Sequence, residues 1–213
     1  AGSPIAGILA NIFMDEIDKE MLRSNHRYIR YADDTLIVGQ DALEHFKERI
    51  EAAGIVFNPN KMATMNLREG ITFLGFLYQG NTIDIGPKAK AKMKSRLKRR
   101  AKWYRKWMID NNVPVRKAMR DYVRKINFKL FSDQDDSINW SRWYLPNINT
   151  EYSLHYLYLY FVNCIRYLHS GTWHRGRKFY SLKYKDIKKL GYKSLVNEYY
   201  RLRRVEMVVF DPK

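Results

Sequence analysis

Residues 27–38 form the sequence RYIRYADDTLIV. Its two flanks, 27–31 and 35–38, are short runs rich in β-branched and aromatic residues, which favour strands. The three residues between them, Ala32-Asp33-Asp34, are too few for anything but a tight turn. The sequence therefore predicts a β-hairpin with two adjacent aspartates at its tip.

Helices and short strands surround this hairpin in residues 1–86. Apolar side chains at helical spacing predict an amphipathic helix over 7–24. A second helix is predicted over 42–53, with Asp41 as its N-cap and Gly54 as its stop signal. Short strands are predicted at 55–57, 62–65, 71–78 and 82–85. Helices mixed with an antiparallel sheet are an α+β pattern.

The net charge of +17 is concentrated in one segment. Residues 88–125 contain 16 Lys and Arg against two Asp, a formal charge of +14. The composition changes at Gly86-Pro87, so we place a boundary between a domain at 1–86 and a basic, helical domain at 87–213. A strongly basic folded domain points to a polyanionic partner, most simply nucleic acid.

The basic domain carries the apolar spacing of helices. Apolar residues at three- and four-residue intervals from 93 to 108 predict the first of them. Further helices are predicted at 113–131, 152–168 and 192–203. The helix at 152–168 is apolar almost all round, which predicts a central position. The five tryptophans are interpreted as packing residues: Trp103, Trp107, Trp140, Trp143 and Trp173.

The composition excludes several classes of protein. Apolar residues make up 46% and aromatic residues 15% of the chain, which excludes an intrinsically disordered protein. No apolar run approaches the roughly 18 residues that a membrane span needs, so we expect no membrane partner. The single cysteine, Cys164, cannot form an internal disulfide, which fits a reducing compartment. We therefore expect a cytoplasmic location.

The two aspartates at the hairpin tip are the residues most suggestive of chemistry. Asp33 and Asp34 repel each other on a tight turn, and a divalent cation relieves that repulsion. Their hard oxygen ligands suit Mg²⁺ or Mn²⁺. Two such ions can activate an attacking 3′-hydroxyl and stabilise the leaving oxygen of a phosphoryl transfer. Taken alone, the pair can equally be a solvated turn.

Four motifs, in this order along the chain, resemble the palm of bacterial reverse transcriptases. They are the segment at 2–12 that begins Gly2-Ser3-Pro4, then Tyr31-Ala32-Asp33-Asp34, then GIVFNPNK at 54–61, then Phe73-Leu74-Gly75-Phe76. Within that family the sequence is most similar to group II intron reverse transcriptase/maturases and retron-like enzymes. The resemblance implies an α+β fold in which a partial polymerase palm at 1–86 precedes an all-α basic thumb and C-terminal extension at 87–213.

The resemblance also implies roles for the residues at the hairpin. Asp33 is expected to be a ligand of the catalytic metals, with Asp34 beside it on the turn. Tyr31 and Ala32 are expected to line the site near the primer end and the incoming nucleotide. Lys61 is similar to the lysine that assists the departing pyrophosphate, and the alternative is a surface lysine that follows a turn.

Two further segments receive roles by the same resemblance. The residues expected close to the nucleotide and template are Gly2, Ser3 and Pro4. The residues expected to hold the primer strand are Phe73, Leu74, Gly75 and Phe76. For Phe73 and Phe76 the alternative is that they simply fill the core of the palm.

The basic helices correspond, by resemblance, to a thumb that binds a duplex. Lysine and arginine on such helices neutralise phosphates without reading sequence. The residues that we expect to contact nucleic acid are Lys94, Lys98, Arg99, Lys102 and Arg105. The alternative is a solvated basic surface.

The chain departs from the family pattern at two points. Ala1 stands where members have Gln, and Ala6-Gly7 stands where they have Ser-Pro. The third carboxylate of a reverse-transcriptase palm comes from an earlier strand, and neither Asp15 nor Asp18 matches it. We therefore expect this chain to hold half of an active site and not to polymerise by itself. Its incomplete sheet is expected to self-associate or to pair with a separate N-terminal half.

Two functions from different classes fit these features. The leading one is an RNA-directed DNA polymerase that uses Mg²⁺ or Mn²⁺, dNTPs, an RNA template and a DNA or RNA primer. The alternative is a maturase-like module that binds structured RNA and does not polymerise. The intact Tyr31-Ala32-Asp33-Asp34 favours the enzyme, because a pure binding module does not need a repulsive carboxylate pair. The basic helices serve either function.

Overall fold

The chain folds as two compact units, residues 1–65 and 66–213. The computed structural model describes residues 5–24, 26–56, 58, 62–66, 68–132 and 140–209, with side chains in the last helix as far as Arg203. Each unit has its own buried apolar cluster. Within the described ranges, no helix has the length and apolar character that crossing a membrane requires.

The first unit is a β-hairpin packed against two helices. Its elements are α1 (Ala6–Arg23), β1 (Arg27–Tyr31), β2 (Asp34–Val38) and α2 (Gln40–Ala52). The two strands are antiparallel, and Tyr31 lies opposite Asp34 at the end of the ladder. Buried side chains of α1, β1 and α2 form the core of this unit: Ile17, Met21, Tyr28, Ala42, Phe46 and Ile50. One face of the hairpin is thereby fixed to the helices.

The predicted hairpin and both predicted helices of this unit are confirmed, but the N-cap is wrong. Helix α2 begins at Gln40 directly after Gly39, whose φ is +109°. Asp41 therefore lies in the first turn, where a negative charge is favourable next to the helix N-terminus. The strands predicted at 55–57 and 62–65 are wrong for the described residues of those ranges, which are irregular.

The second unit begins with a small antiparallel sheet. Its strands are β3 (Ile71–Phe73), β4 (Phe76–Gln79) and β5 (Thr82–Ile85), in that order across the sheet. The single strand predicted at 71–78 is wrong, because the chain turns at Leu74 and Gly75, with φ values of +50° and +86°. Two successive positive φ values are the feature of a type I′ hairpin turn.

The rest of the second unit is helical. Its helices are α3 (Pro87–Asp110), α4 (Val115–Phe131), α5 (Trp140–Tyr144), α6 (Tyr152–Ser170), α7 (Arg177–Tyr180), α8 (Tyr184–Lys188) and α9 (Leu195–Val209). As predicted, α6 is central, since it packs against α3, α4, α7 and α9. Buried side chains such as Leu157, Phe161 and Ile165 fill the space between these helices.

The small sheet packs on the helices that follow it. The Phe76 ring lies 5.1 Å from the Tyr144 ring, measured between centroids. In addition, the Ser153 hydroxyl donates to the buried carboxylate of Asp84 at 2.6 Å.

The compact units divide after residue 65, whereas the change in amino-acid composition falls after residue 86. Apolar packing sets the first boundary and the onset of basic charge sets the second. The assignment of palm and thumb stays a prediction.

Candidate active site and nucleic-acid interface

The hairpin between β1 and β2 presents its two aspartates to solvent. Its loop consists of Ala32 and Asp33, and Asp34 is the first residue of β2. Both aspartates are exposed. Ala32 has a φ of +54°, a conformation that costs a residue with a Cβ roughly 1–2 kcal/mol. Strained turns of this kind persist where the surrounding structure fixes them.

Arg30 supplies that fixation by joining the turn to helix α1. Its Nη1 donates to the Ala32 carbonyl oxygen at 2.9 Å and to Asn11 Oδ1 at 3.1 Å. Its Nε and Nη2 donate to the Asp18 carboxylate at 2.9 and 2.5 Å. One guanidinium thus ties the backbone of the aspartate turn to two side chains of α1, and the planar fork fixes their orientation.

The carboxylate of Asp18 is fully used by this network. Tyr28 donates its hydroxyl to Asp18 Oδ1 at 2.6 Å, in addition to the bonds from Arg30. The Arg30 hydrogen bonds hold the pKa of Asp18 below its ordinary value, and the same pair raises the pKa of Arg30. Burial, together with the Asp18 carboxylate, raises the pKa of Tyr28. Asp18 therefore holds Arg30 and Tyr28 in place, rather than adding a third carboxylate ligand at the hairpin tip.

The tip of the β1–β2 hairpin offers two carboxylates as ligands for a divalent cation. In the described part of the chain, no group of three or more His, Cys, Asp or Glu residues is arranged to hold a metal ion. The hard oxygens of Asp33 and Asp34 suit Mg²⁺ or Mn²⁺, ions that retain waters and share their coordination with substrate phosphates. Asp33 and Asp34 can therefore supply part of the ligand set of a metal site.

The other predicted site residues are distributed over both units. Gly2, Ser3, Pro4 and Lys61 lie outside the described residues. Tyr31 is exposed at the end of β1. The motif Phe73-Leu74-Gly75-Phe76 forms the turn between β3 and β4 in the second unit.

Within that turn the two phenylalanines differ. Phe76 is 4% exposed and packs against Trp143 and Tyr144. This packing agrees with the alternative that Phe76 fills the core. Phe73 is half-buried. A role for the turn in holding a primer strand stays a prediction.

The five predicted nucleic-acid contacts lie on α3 in two groups. Lys98, Arg99 and Lys102 are exposed, whereas Lys94 and Arg105 are half-buried. Lys94, Lys98 and Arg105 lie on the side of α3 that faces α6 or the segment after it. Arg105 is engaged within the fold, because its Nη1 donates to the carbonyl oxygen of Leu168 at 2.8 Å near the end of α6. A cation at that position also interacts favourably with the helix dipole.

Aromatic residues beside these lysines were not predicted as part of the site. Lys94 Nζ donates to the Tyr156 hydroxyl at 2.6 Å and lies 5.0 Å from the Tyr160 ring centroid. Lys98 Nζ lies 5.6 Å from the Trp173 ring centroid. The signal in the sequence is a tyrosine at every fourth position of α6, which places 152, 156 and 160 on one side of the helix.

Trp103 departs from the packing interpretation of the tryptophans. It is 53% exposed and stacks in parallel on Trp107, with ring centroids 6.1 Å apart. Arg99 and Arg100, four and three residues earlier, share its side of α3. By contrast, Trp140, Trp143 and Trp173 pack against the core of the second unit.

Comparison with known proteins bears on the first part of the chain. Residues 1–78 match the family model described as Reverse transcriptase (RNA-dependent DNA polymerase). The match spans the aspartate turn and the Phe73-Leu74-Gly75-Phe76 turn, and it covers 78 of the 213 residues. A search of curated proteins found no match. The family match supports a relationship of this segment to reverse transcriptases.

Proposed function

We propose that this chain provides the aspartate hairpin and the duplex-binding helices of an RNA-directed DNA polymerase. The observation that supports the proposal most strongly is the family match over residues 1–78, which includes a solvent-facing turn with adjacent carboxylates. Within the family, the motifs favour the group II intron or retron-like enzymes of the bacterial cytoplasm. The reaction is nucleotidyl transfer from a dNTP to a primer 3′-hydroxyl on an RNA template.

Asp33 and Asp34 are the residues of this chain that would hold the catalytic Mg²⁺ or Mn²⁺. When bound, a pair of such ions activates the attacking hydroxyl and stabilises the leaving oxygen. Arg30 keeps the turn in its strained conformation through the Ala32 carbonyl, so the two carboxylates stay oriented. Such orientation matters because a displacement of about 1 Å can lower a rate by roughly 10²-fold.

The proposal assigns the third carboxylate to a segment that precedes these motifs in the family. An apolar surface on the first unit supports such pairing. Ile8, Leu9 and Ile12 of α1, which are 59–66% exposed, form this surface. Exposed apolar side chains in this number mark a contact surface. We propose that it receives the segment carrying the third carboxylate, and self-association is the alternative.

The basic helices are proposed to bind the template–primer duplex. Helix α3 has no acidic residue before Asp110, and its exposed cations include Arg99 and Lys102. Such a surface neutralises phosphates and binds with little sequence preference. In this proposal Lys61 assists the departing pyrophosphate, and Gly2, Ser3 and Pro4 approach the nucleotide. The turn at 73–76 holds the primer through Phe73, because Phe76 is buried in the core.

Primer extension tests the proposal directly. The chain is incubated with a labelled primer on an RNA template, dNTPs and Mg²⁺, alone and with the preceding family segment added as a separate polypeptide. We expect template-dependent extension with both polypeptides and none with the chain alone. Binding of the duplex without extension in either case would instead favour the maturase-like module.

A further inference from the structure

Between α3 and α6, one lysine and one tyrosine form a hydrogen-bonded pair. Lys94 Nζ donates to the Tyr156 hydroxyl oxygen at 2.6 Å. The same ammonium lies 4.9 Å from the centroid of the Tyr156 ring and 5.0 Å from that of Tyr160. The hydrogen bond to Tyr156 and cation–π attraction to the Tyr160 ring hold the ammonium in place. A lysine held in this way loses less side-chain entropy on binding an anion than a free lysine does.

The Tyr156 hydroxyl retains a donor in this arrangement. Its oxygen accepts from Lys94, so its own hydrogen is left to donate to another group. The residue is 49% exposed, and a ligand in solvent can therefore reach it. An ammonium and a hydroxyl donor side by side are complementary to an anion with several acceptor oxygens, and a phosphate has that chemistry.

The surroundings favour a polyanion at this position. Lys98, one turn after Lys94 on α3, is held over the ring of Trp173. No acidic residue occurs in α3 before Asp110, so every charged side chain over more than five turns of this helix is a cation. The field of such a helix attracts a nucleic-acid backbone more strongly than an isolated charge does.

We propose that Lys94 and Tyr156 together bind one phosphate of the nucleic-acid backbone. The ammonium contributes its charge, and the hydroxyl donates its proton to a second oxygen of the same phosphate. This inference rests on the proposed nucleic-acid binding by α3. It extends the binding surface from α3 onto α6 and assigns a neutral residue to it.

Salt-dependent binding separates the two contributions. The full chain and its variants Tyr156→Phe and Lys94→Gln are titrated against a short fluorescein-labelled RNA–DNA duplex, and anisotropy is followed at several salt concentrations. Tyr156→Phe is expected to weaken binding about tenfold, as loss of a hydrogen bond to a charged group does, with an unchanged salt slope. Lys94→Gln is expected to weaken binding and to reduce the slope by about 0.9, the value for one phosphate contact.

A matched control comes from the same helix. Tyr152, one turn earlier on α6, is 80% exposed, and the variant Tyr152→Phe is expected to bind like the wild type. The double variant Tyr156→Phe/Lys94→Gln is expected to lose less than the product of the two single losses, because both residues bind one group. Thermal unfolding of each variant checks that the second unit stays folded.

Two results would overturn the inference. One is wild-type affinity for Tyr156→Phe while Lys94→Gln loses affinity, and the other is an equal loss for Tyr152→Phe and Tyr156→Phe. Failure of the proposed function has a different signature. In that case the wild-type chain itself would bind the duplex without the steep dependence on salt.

Discussion

At the scale of single residues, Arg30 connects the aspartate turn to the helix behind it. Its guanidinium reaches the Ala32 carbonyl on one side and the Asp18 carboxylate on the other. Both partners of the ion pair are mostly buried, with side-chain exposures of 10% for Arg30 and 24% for Asp18. The interaction is therefore screened less by solvent than a surface pair. Local stability and the geometry of the turn depend on the same contact.

This ion pair predicts a specific dependence of stability on pH. Because the pKa of Asp18 is lower in the folded chain than its ordinary value of 3.8, the charged form stabilises the fold above that pH. The contribution is lost as the pH falls through the lowered pKa. Asp18→Asn is expected to reduce the free energy of unfolding of the first unit by about 2 kcal/mol at neutral pH. Urea unfolding between neutral pH and strong acid measures it, and the two curves should converge at low pH.

Asp15→Asn provides the control for this experiment. Asp15 pairs with Lys19 four residues later on the exposed side of α1, with side-chain exposures of 53% and 57%. Such a pair contributes little, so its loss is expected to change stability by less than about 0.5 kcal/mol at any pH. Equal effects of the two substitutions would contradict the structural role assigned to Asp18.

At the scale of elements, the turn between β3 and β4 depends on a residue far away in the chain. Gly75 has a φ of +86°, and a Cβ at this position would lie 2.6 Å from the Tyr144 hydroxyl oxygen. Tyr144 also packs on Phe76, so the space above Gly75 is closed by the core of the second unit. The glycine is needed for both its conformation and its size.

A pair of glycine substitutions separates these two needs. Gly75→Ala is expected to destabilise the second unit by about 3 kcal/mol, from the strained φ and the overlap with Tyr144. Gly80→Ala, in the turn between β4 and β5, shares the positive φ of +56° but has no atom within 4 Å of the added Cβ. Gly80→Ala is expected to lower the free energy of unfolding by about 1 kcal/mol, from the positive φ alone. Thermal unfolding compares them, and similar losses would show that the contact with Tyr144 is unimportant.

The same element shows what local sequence can predict. Strand propensity and a short linker were sufficient for the β1–β2 hairpin, because both signals lie within residues 27–38. The run around 71–78 has comparable propensity, yet its turn places Leu74 at a positive φ, which leucine seldom adopts. The packing of Phe76 and Tyr144 overrides the local preference, and the sequence holds no local sign of that contact.

The features of the candidate site also differ in whether local sequence could predict them. The adjacent aspartates and the cations of α3 could be predicted, because they are contiguous motifs. The pairing of Lys94 with Tyr156 could not, since it joins residues 62 positions apart through the packing of α3 on α6. The partner of Arg105, 63 positions away, is hidden from local patterns for the same reason.

At the scale of the whole molecule, the adjacent carboxylates and most of the positive charge belong to different units. The first unit carries the carboxylate turn, and the second carries the basic helices that account for most of the net charge of +17. The small sheet at 71–85 packs with the basic helices although the family match runs through residue 78. A family segment can therefore extend across the boundary of a compact unit.

We propose that Asp33 and Asp34 are ligands of catalytic metal ions, and substitution of Asp33 tests this assignment. Primer extension is measured for Asp33→Ala in the presence of the segment that supplies the third carboxylate, alongside Asp15→Ala, an exposed aspartate of the same unit. We predict that Asp33→Ala lowers extension by about 10²-fold or more while duplex affinity stays the same, since the metal site loses a ligand and the basic helices are untouched. Asp15→Ala is predicted to extend the primer like the wild type. Extension by Asp33→Ala at the wild-type rate would contradict the assignment of the active site.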